Sequence, residues 1–385
     1  MWRIFVGFLA LGLTAFGGPV AHIGYFEAAF VQRRQWISPR AFADLVAICH
    51  VLPGPASSQI GLGIGYFRAG VPGALAAWAG FTLPSALLLG AFGVGVGLLP
   101  QDVVAAASRG LAWAAAAVVG QAVLHMARSR VRHPADALPV AVAAALAWGL
   151  SGLPGQFAAL GLGAAWGLAR PDPTARAPEP PAPPAKRAAL WLVAWTALLL
   201  LLPLAATLSG NDWAALADRF YRTGSLVFGG GHVVLPLLKA EWVDQGLLPP
   251  ATFLAGYGAA QAVPGPLFTI SAFLGAALHP EAPVAGGGVA LIAIFLPSML
   301  LVFGVLPFAQ RLRASPVARR LLSGVNLAVI GVLGAAWVDP VLLGAIRGPW
   351  DAVAVAGGFL LLVFGRVPVL ALVVSLALFG LALSL

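Results

Sequence analysis

The sequence predicts an all-α polytopic membrane protein of about 13 transmembrane segments, built as two inverted-topology repeats. Three observations carry this. The 385 residues are 60% hydrophobic and only 9% charged, with a mean hydropathy of +0.93, where a soluble domain carries about 25% charge. The stretch Leu52-Pro53-Gly54-Pro55-Ala56-Ser57-Ser58-Gln59 returns as Val263-Pro264-Gly265-Pro266-Leu267-Phe268-Thr269. An isolated apolar segment stands between two matching halves. Each Pro-Gly-Pro interrupts an apolar run: proline removes a donor and clashes with the preceding turn, and glycine weakens what is left. Each run must therefore break into two half-helices.

In chain order, apolar segments cover 3–31, 39–68 (broken at Pro-Gly-Pro), 70–98, 103–127, 136–150 and 153–169, within a first repeat spanning 1–170. Met1-Trp2-Arg3 and the run after it imitate a signal peptide. Phe16-Gly17-Gly18 recurs as Phe228-Gly229-Gly230, however, so this run belongs to the mature fold. Residues 171–187 are proline-rich and polar, an extended semi-rigid linker. With the extra segment 188–208 they make a joining unit, 171–211. The second repeat, 212–385, has apolar segments at 216–240, 249–279 (broken again), 284–310, 315–338, 349–365 and 367–385.

Further landmarks repeat in the same order. Phe42 matches Phe253, and Phe81-Thr82-Leu83-Pro84-Ser85 matches Ile294-Phe295-Leu296-Pro297-Ser298, at offsets of 211 to 213. Six segments per half plus one extra invert the second half. With the N-terminus inside and every segment crossing, 15 of the 22 basic residues fall inside, as short cytoplasmic loops require. Each half-helix of about 14 residues is roughly 21 Å long, which fits a broken crossing and also a re-entrant hairpin. If both broken segments are hairpins the repeats become parallel, and 13 basic residues fall inside.

The breaks are the candidate substrate site. Pro55 and Pro266 suit the first position of a new half-helix, where the missing N–H costs nothing. The free amides behind them carry the positive end of the helix dipole. Ser57, Ser58 and Gln59 add side-chain donors in one half, and Thr269 and Ser271 in the other. Two such helix starts near the midplane make an anion site without a buried lysine or arginine. A kink needed only for packing is the bland alternative.

Glycine clusters Gly17-Gly18-Pro19 and Gly229-Gly230-Gly231 permit close helix approach or backbone exposed to a ligand. They are not phosphate loops, since no Gly-Lys-Ser/Thr follows. Intramembrane histidines are His22, His50 and His232, each a proton carrier or a neutral hydrogen-bonding residue. His50 matches Gln261, so a polar group suffices there. No His, Cys, Asp or Glu group has metal-ligand spacing, so neither a metal nor a cofactor is expected. Lone Cys49 reads as a small core residue. Glu27 aligns with Lys239 and Asp44 with Ala255, so charge is unequal between the halves. Lys239 and Glu241 fit interfacial snorkelling. Arg33 and Arg34 fit an anion-gathering rim or ordinary interface anchors. The net charge of +9 lies in short loops without interleaved aromatics, which argues against nucleic acid. A lipid-phosphate enzyme would need a nucleophile or base with close partners, and His22, Glu27 and Asp44 are too scattered.

Phe-Gly-Gly-Pro-Val-Ala-His-Ile-Gly at 16–24, Leu-Pro-Gly-Pro-Ala-Ser-Ser-Gln at 52–59, Phe-Gly-Gly-Gly-His-Val-Val-Leu-Pro-Leu-Leu at 228–238 and Gly-Tyr-Gly-Ala-Ala-Gln-Ala-Val-Pro-Gly-Pro-Leu-Phe at 256–268 resemble the chromate ion transporter family. The resemblance covers both halves, as in long-chain, two-domain members. It implies chromate export across the bacterial inner membrane, with sulfate as the mimic and competitor, a bilayer as environment and a homodimer as a possible assembly. His50 departs from the glutamine expected there, which bears on fine substrate preference. The absence of an ATP-binding motif fits a secondary transporter; carriage of sulfate or another oxyanion is the alternative.

Overall fold

The computed structural model describes residues 1–15, 18–49, 52–96, 101–150, 153–170, 186–227, 234–308, 315–365 and 367–382. Among these there is no β-strand. The proline-rich linker, residues 171–185, lies outside them.

The first half contains α1 (Trp2–Thr14), α2 (Gly18–Phe26, continued by a π-helical turn Glu27–Arg33), α3 (Pro39–Cys49), α4 (Ala56–Val96), α5 (Gln101–Arg130), α6 (Ala137–Gly149) and α7 (Leu153–Ala169). Helix α8 (Lys186–Ser209) follows. The second half contains α9 (Asp212–Leu226), α10 (Val234–Leu238, continued by Lys239–Val243), α11 (Pro250–Ala262), a 3₁₀ turn Leu267–Thr269 and α12 (Ile270–Leu278). It ends with α13 (Pro283–Val305), α14 (Pro316–Ala336), α15 (Pro349–Val363) and α16 (Val369–Ala382). Prolines 39, 250, 283, 316 and 349 each open a helix, where the fixed φ helps and the missing donor is not needed. Asn211 caps α9, its side chain accepting from the amides of Trp213 (2.8 Å) and Ala214 (3.3 Å).

Each half begins with two hairpins. Phe8 of α1 stacks on Phe30 (4.4 Å between centroids) and meets Phe26 (5.6 Å), so α1 and α2 run antiparallel. The second half repeats this with Phe220 against Trp242 at 5.0 Å. The Pro-Gly-Pro runs also fold back: Gly63 lies against Leu45, and Gly256 against Phe273. The chain thus reverses at each break instead of running on through it. Limbs of 11 or 13 residues are about 16–20 Å long, half of an apolar layer about 30 Å thick. We call the reversal the tip of a hairpin and the open end its mouth.

Helix α4 contains a second reversal at Ala69 (φ −156°) and Gly70 (φ 61°), a left-handed conformation that glycine adopts freely. Its limbs, 56–68 and 71–96, close on one another through Gly65 and Gly73, each of which faces the other's carbonyl oxygen. Gly275 and Gly286 do the same between α12 and α13. No side chain fits between backbones that close.

The remaining helices are exchanged. Helix α5 packs against α15 and α16 of the second half, while α14 packs against α6 and α7 of the first. Gly110 meets the Leu376 carbonyl, and Gly324 meets that of Gly163. Buried Asp351 binds Arg109 (2.8 Å), the Trp113 indole (2.9 Å) and the Arg347 amide (2.9 Å), so its own buried charge is compensated.

Among the described residues, five helices are long and apolar enough to cross a bilayer. In α8 only 6% of the apolar window is buried within the protein, at a mean hydropathy of 2.2. Such a helix is apolar all round and requires lipid as its solvent.

Gly275→Val forces a side chain against the Gly286 backbone and should cost about 1–3 kcal/mol, seen as a lower melting temperature in detergent. Gly288 has nothing within 4 Å of the added carbon, so Gly288→Ala should leave that temperature unchanged or raise it.

Candidate functional site

The two Pro-Gly-Pro tips meet. Gly54 has φ 119° and Gly265 φ 106°, a region closed to other residues. The Gly54 amide donates to the Val227 carbonyl (2.6 Å), and the Gly265 amide donates to the Ala15 carbonyl (3.0 Å). Each tip is therefore bonded to the first hairpin of the opposite half. A Cβ on Gly54 would strike Ser298 Oγ, and one on Gly265 would lie 2.8 Å from Ser85 Oγ. Residues 15 and 227, 54 and 265, and 85 and 298 are equivalent in the repeat. Contacts that reciprocate in this way follow an approximate two-fold axis between the tips.

Helix α4 measures the distances. Its Gly73 lies at Gly65, Ser85 lies at Gly265, and Gly93 lies at Phe273 and Ala276. It thus runs from the first-half mouth, past the tips, to the second-half mouth. Helix α13 runs the converse course: Gly286 at Gly275, Ser298 at Gly54, and Phe303 stacked on Tyr66 at 5.7 Å. The tips approach from opposite ends and meet near the middle of both helices.

Pro55 and Pro266 stand one residue earlier than the sequence suggested. The Gln59 amide donates to the Pro55 carbonyl (3.0 Å), and Pro266 is extended (φ −73°, ψ 135°). Both are N-caps, because the cap carbonyl already accepts while its own backbone is not yet helical. The new turns start at Ala56 and Leu267. The amides of Ala56, Ser57 and Ser58 open the first of them, at the positive end of its dipole.

The tips differ chemically. Ser57, Ser58 and Gln59 are buried. Gln59 Nε2 donates across the break to the Pro53 carbonyl (2.6 Å), while Gln59 Oε1 and Ser58 Oγ have no partner. In the other tip Leu267 and Phe268 are buried and apolar, and Thr269 Oγ1 donates to the Pro266 carbonyl (2.7 Å). The Thr269 proton is thereby committed to its own turn. Ser271 Oγ, also buried, has no partner.

His22 is buried, with Nε2 3.1 Å from the Ala15 carbonyl and its ring edge-on to Phe81 at 5.1 Å. A carbonyl only accepts, so Nε2 carries the proton, and Nδ1 is left without a partner. Thr82 Oγ1 on α4 is orphaned too, while Ser85 Oγ donates to the Thr82 carbonyl (3.1 Å). An orphaned buried polar atom costs about 1–3 kcal/mol. Ser58, Gln59, Thr82, His22 and Ser271 all carry one, on elements that meet at the tips. That arrangement can take a small polar ligand without a buried cation.

Gly18 opens α2, and Gln261, near the end of α11, lies beside the Tyr257 hydroxyl. Gly17, His50, Gly229, Gly230, Gly231 and His232 lie outside the described residues. Among the described residues no three metal-ligating side chains gather. Thr82, Ser85, Ser298, Ala15 and Val227 were not among the sequence candidates. The first three sit in repeated landmarks, which was the available signal; the last two act through backbone carbonyls, which leave none.

A family model described as chromate transporter matches residues 2–168 and again 214–381. A chromate transport protein of Pseudomonas aeruginosa is 29% identical over 380 residues, covering 90% of this chain and 82% of that protein. One from Cupriavidus metallidurans is 26% identical over 401 residues, covering 97% and 91%. An uncharacterized transporter of Methanocaldococcus jannaschii is 25% identical over 349 residues, covering 89% and 84%. No solved structure matches. With two family matches over nearly its whole length, and apolar helices fit for a bilayer, the chain is a multi-pass membrane transport protein, not an enzyme, and belongs to the chromate transporter family.

Proposed function

We propose that this protein is a secondary transporter exporting chromate across the bacterial inner membrane, with sulfate as a competitor. The observation that carries the reading is the pair of meeting tips, ringed by orphaned polar atoms, in a member of this family. Chromate is a tetrahedral oxyanion, and helix starts with hydroxyl and amide donors suit such a ligand. Two negative charges leaving a negative-inside cell gain about 4–5 kcal/mol per 100 mV, so the potential can drive export.

The halves are inverted in the membrane. If each hairpin returns to its own side, each half keeps four crossings, and α8 is a ninth that turns the second half over. Pairing of the tips from opposite ends of α4 and α13 supports this. So does charge. Only Arg109, Arg219, Arg222, Lys239 and Arg347 then fall outside, leaving 17 of 22 basic residues on the N-terminal, cytoplasmic side. That is a stronger bias than the 15 obtained with thirteen crossings.

Everted vesicles should take up chromate faster with an inside-positive potential than without one, and sulfate should compete; uptake equal to that of empty vesicles refutes the reading. Ser58→Ala removes an uncommitted donor, worth about 1.5 kcal/mol towards a charged ligand. It should raise KM for chromate about tenfold with membrane insertion intact. Thr269→Ala, whose hydroxyl serves its own turn, should move stability more than KM.

Gly54→Ala adds left-handed backbone strain of about 1–3 kcal/mol and a clash with Ser298. Transport should be lost and the melting temperature lowered; a variant with normal uptake would mean that the tips do not form the pathway.

A further inference from the structure

The two mouths carry opposite electrostatic characters. In residues 1–69, five arginines stand against Glu27 and Asp44, net +3; in the equivalent 212–282, three basic residues stand against five carboxylates, net −2. Contacts sharpen the difference. At the second-half mouth, Arg219 pairs with Glu241 (3.5 Å) and lies over the Trp242 ring (5.5 Å). Arg222 grips both carboxylate oxygens of Asp218, with a 2.8 Å contact, and also reaches Glu241 (3.7 Å). These charges are spent on each other.

At the first-half mouth the carboxylates that neutralise these arginines have no counterpart, and the arginines stand at other positions. Glu241 corresponds to Ala29, Asp218 to Val6 and Arg219 to Gly7. The space above Gly7 is filled from the other limb by the Arg34 guanidinium and the Trp36 ring. Arg34 lies over Phe30 at 5.5 Å and over Trp36 at 5.2 Å, and Arg68, from the α4 reversal, lies over the same Trp36 at 5.6 Å. Both arginines are exposed, and neither has a carboxylate partner among the described residues. Between Arg34 and Trp36 stands Gln35 with φ 50°, the one non-glycine in the left-handed region among the described residues. Such backbone is uncommon outside glycine and clusters where function over-determines the chain. Here it accompanies a guanidinium and a ring turned onto the same stack. A stacked guanidinium is held in place while its N–H edge stays available for a tetrahedral oxyanion.

Resting on the transport reading above, we infer that Arg34 and Arg68, held on Trp36, form an outlying oxyanion-docking site at the N-terminal mouth, which concentrates the anion before it reaches the tips. The paired second-half mouth has no such site, so loading is favoured from the N-terminal face. The same chemistry would hold a lipid phosphate, and the test separates the two.

The pair Arg34→Gln and Arg68→Gln is compared with wild type in everted vesicles, which expose the N-terminal face, and in right-side-out vesicles. In everted vesicles at low salt KM for chromate should rise about 3–10-fold with Vmax near wild type, and its dependence on ionic strength should flatten. KM from the opposite face should not change. The Lys pair, which keeps charge, should restore the salt dependence. An unchanged KM, an equal rise from both faces, or no recovery with lysine overturns the inference. So does a shift confined to membranes containing anionic lipid, since the guanidiniums would then hold headgroups. A second readout is independent of transport: at constant ionic strength, sulfate should raise the melting temperature of purified wild type more than that of the Gln pair. If wild type carries no chromate but this difference persists, the transport reading fails and the docking site stands. If wild type carries chromate and the difference is absent, the docking site alone fails.

Discussion

Two hydrogen bonds organise this protein. The Gly54 amide reaches the Val227 carbonyl, and the Gly265 amide reaches that of Ala15. Each contributes only about 0.5–1.5 kcal/mol net. Broken in a buried place, each leaves a donor and an acceptor stranded, at about 1–3 kcal/mol per group. Motions that keep both intact, or exchange both together, are therefore favoured over motions that pull a single tip away. The glycines are required twice, for positive φ and for the missing Cβ that admits Ser298 and Ser85. From these contacts follow the meeting of four hairpins and the course of α4 and α13 past them.

Polarity at the meeting point is borrowed mainly from one half. Ser57, Ser58, Gln59, Thr82 and His22 come from the first, while equivalent second-half positions hold Phe268, Thr269, Ile270, Phe295 and Val234. The scaffold is symmetric and its chemistry is not. A duplicated frame supplies the two facing helix starts, and the first half carries more of the polar side chains beside them. An aromatic column in the first half, Trp36–Phe30–Phe8–Phe26–Phe81–His22, joins mouth to tip with ring separations of 4.4 to 5.6 Å. At the positions of Phe26 and Phe81 the second half has Leu238 and Ile294.

Much of this was legible in the sequence. Pro-Gly-Pro twice in apolar runs announced both breaks, and the paired landmarks announced the repeat. The direction of the chain after each break was not legible. A limb of 11 or 13 residues serves a crossing and a hairpin equally well, and the deciding signals, Gly63 against Leu45 and Gly256 against Phe273, are contacts, not patterns. The first hairpin of each half was missed for the same reason: residues 3–31 read as one apolar run. Donor availability was also hidden. Thr269 and Ser58 occupy equivalent positions, yet one hydroxyl is consumed by its own turn and the other is not.

The exchange of helices between halves has a consequence in time. Helix α5 ends at Arg130, and its partners α15 and α16 begin at Pro349 and Val369. Synthesis at about 5–20 residues per second separates them by roughly 10–50 s. Over that interval α5, α6 and α7 must wait in the lipid with glycine-lined faces unpaired, Gly110, Gly163 and Gly167 among them. The first half therefore completes its packing only when the second half arrives.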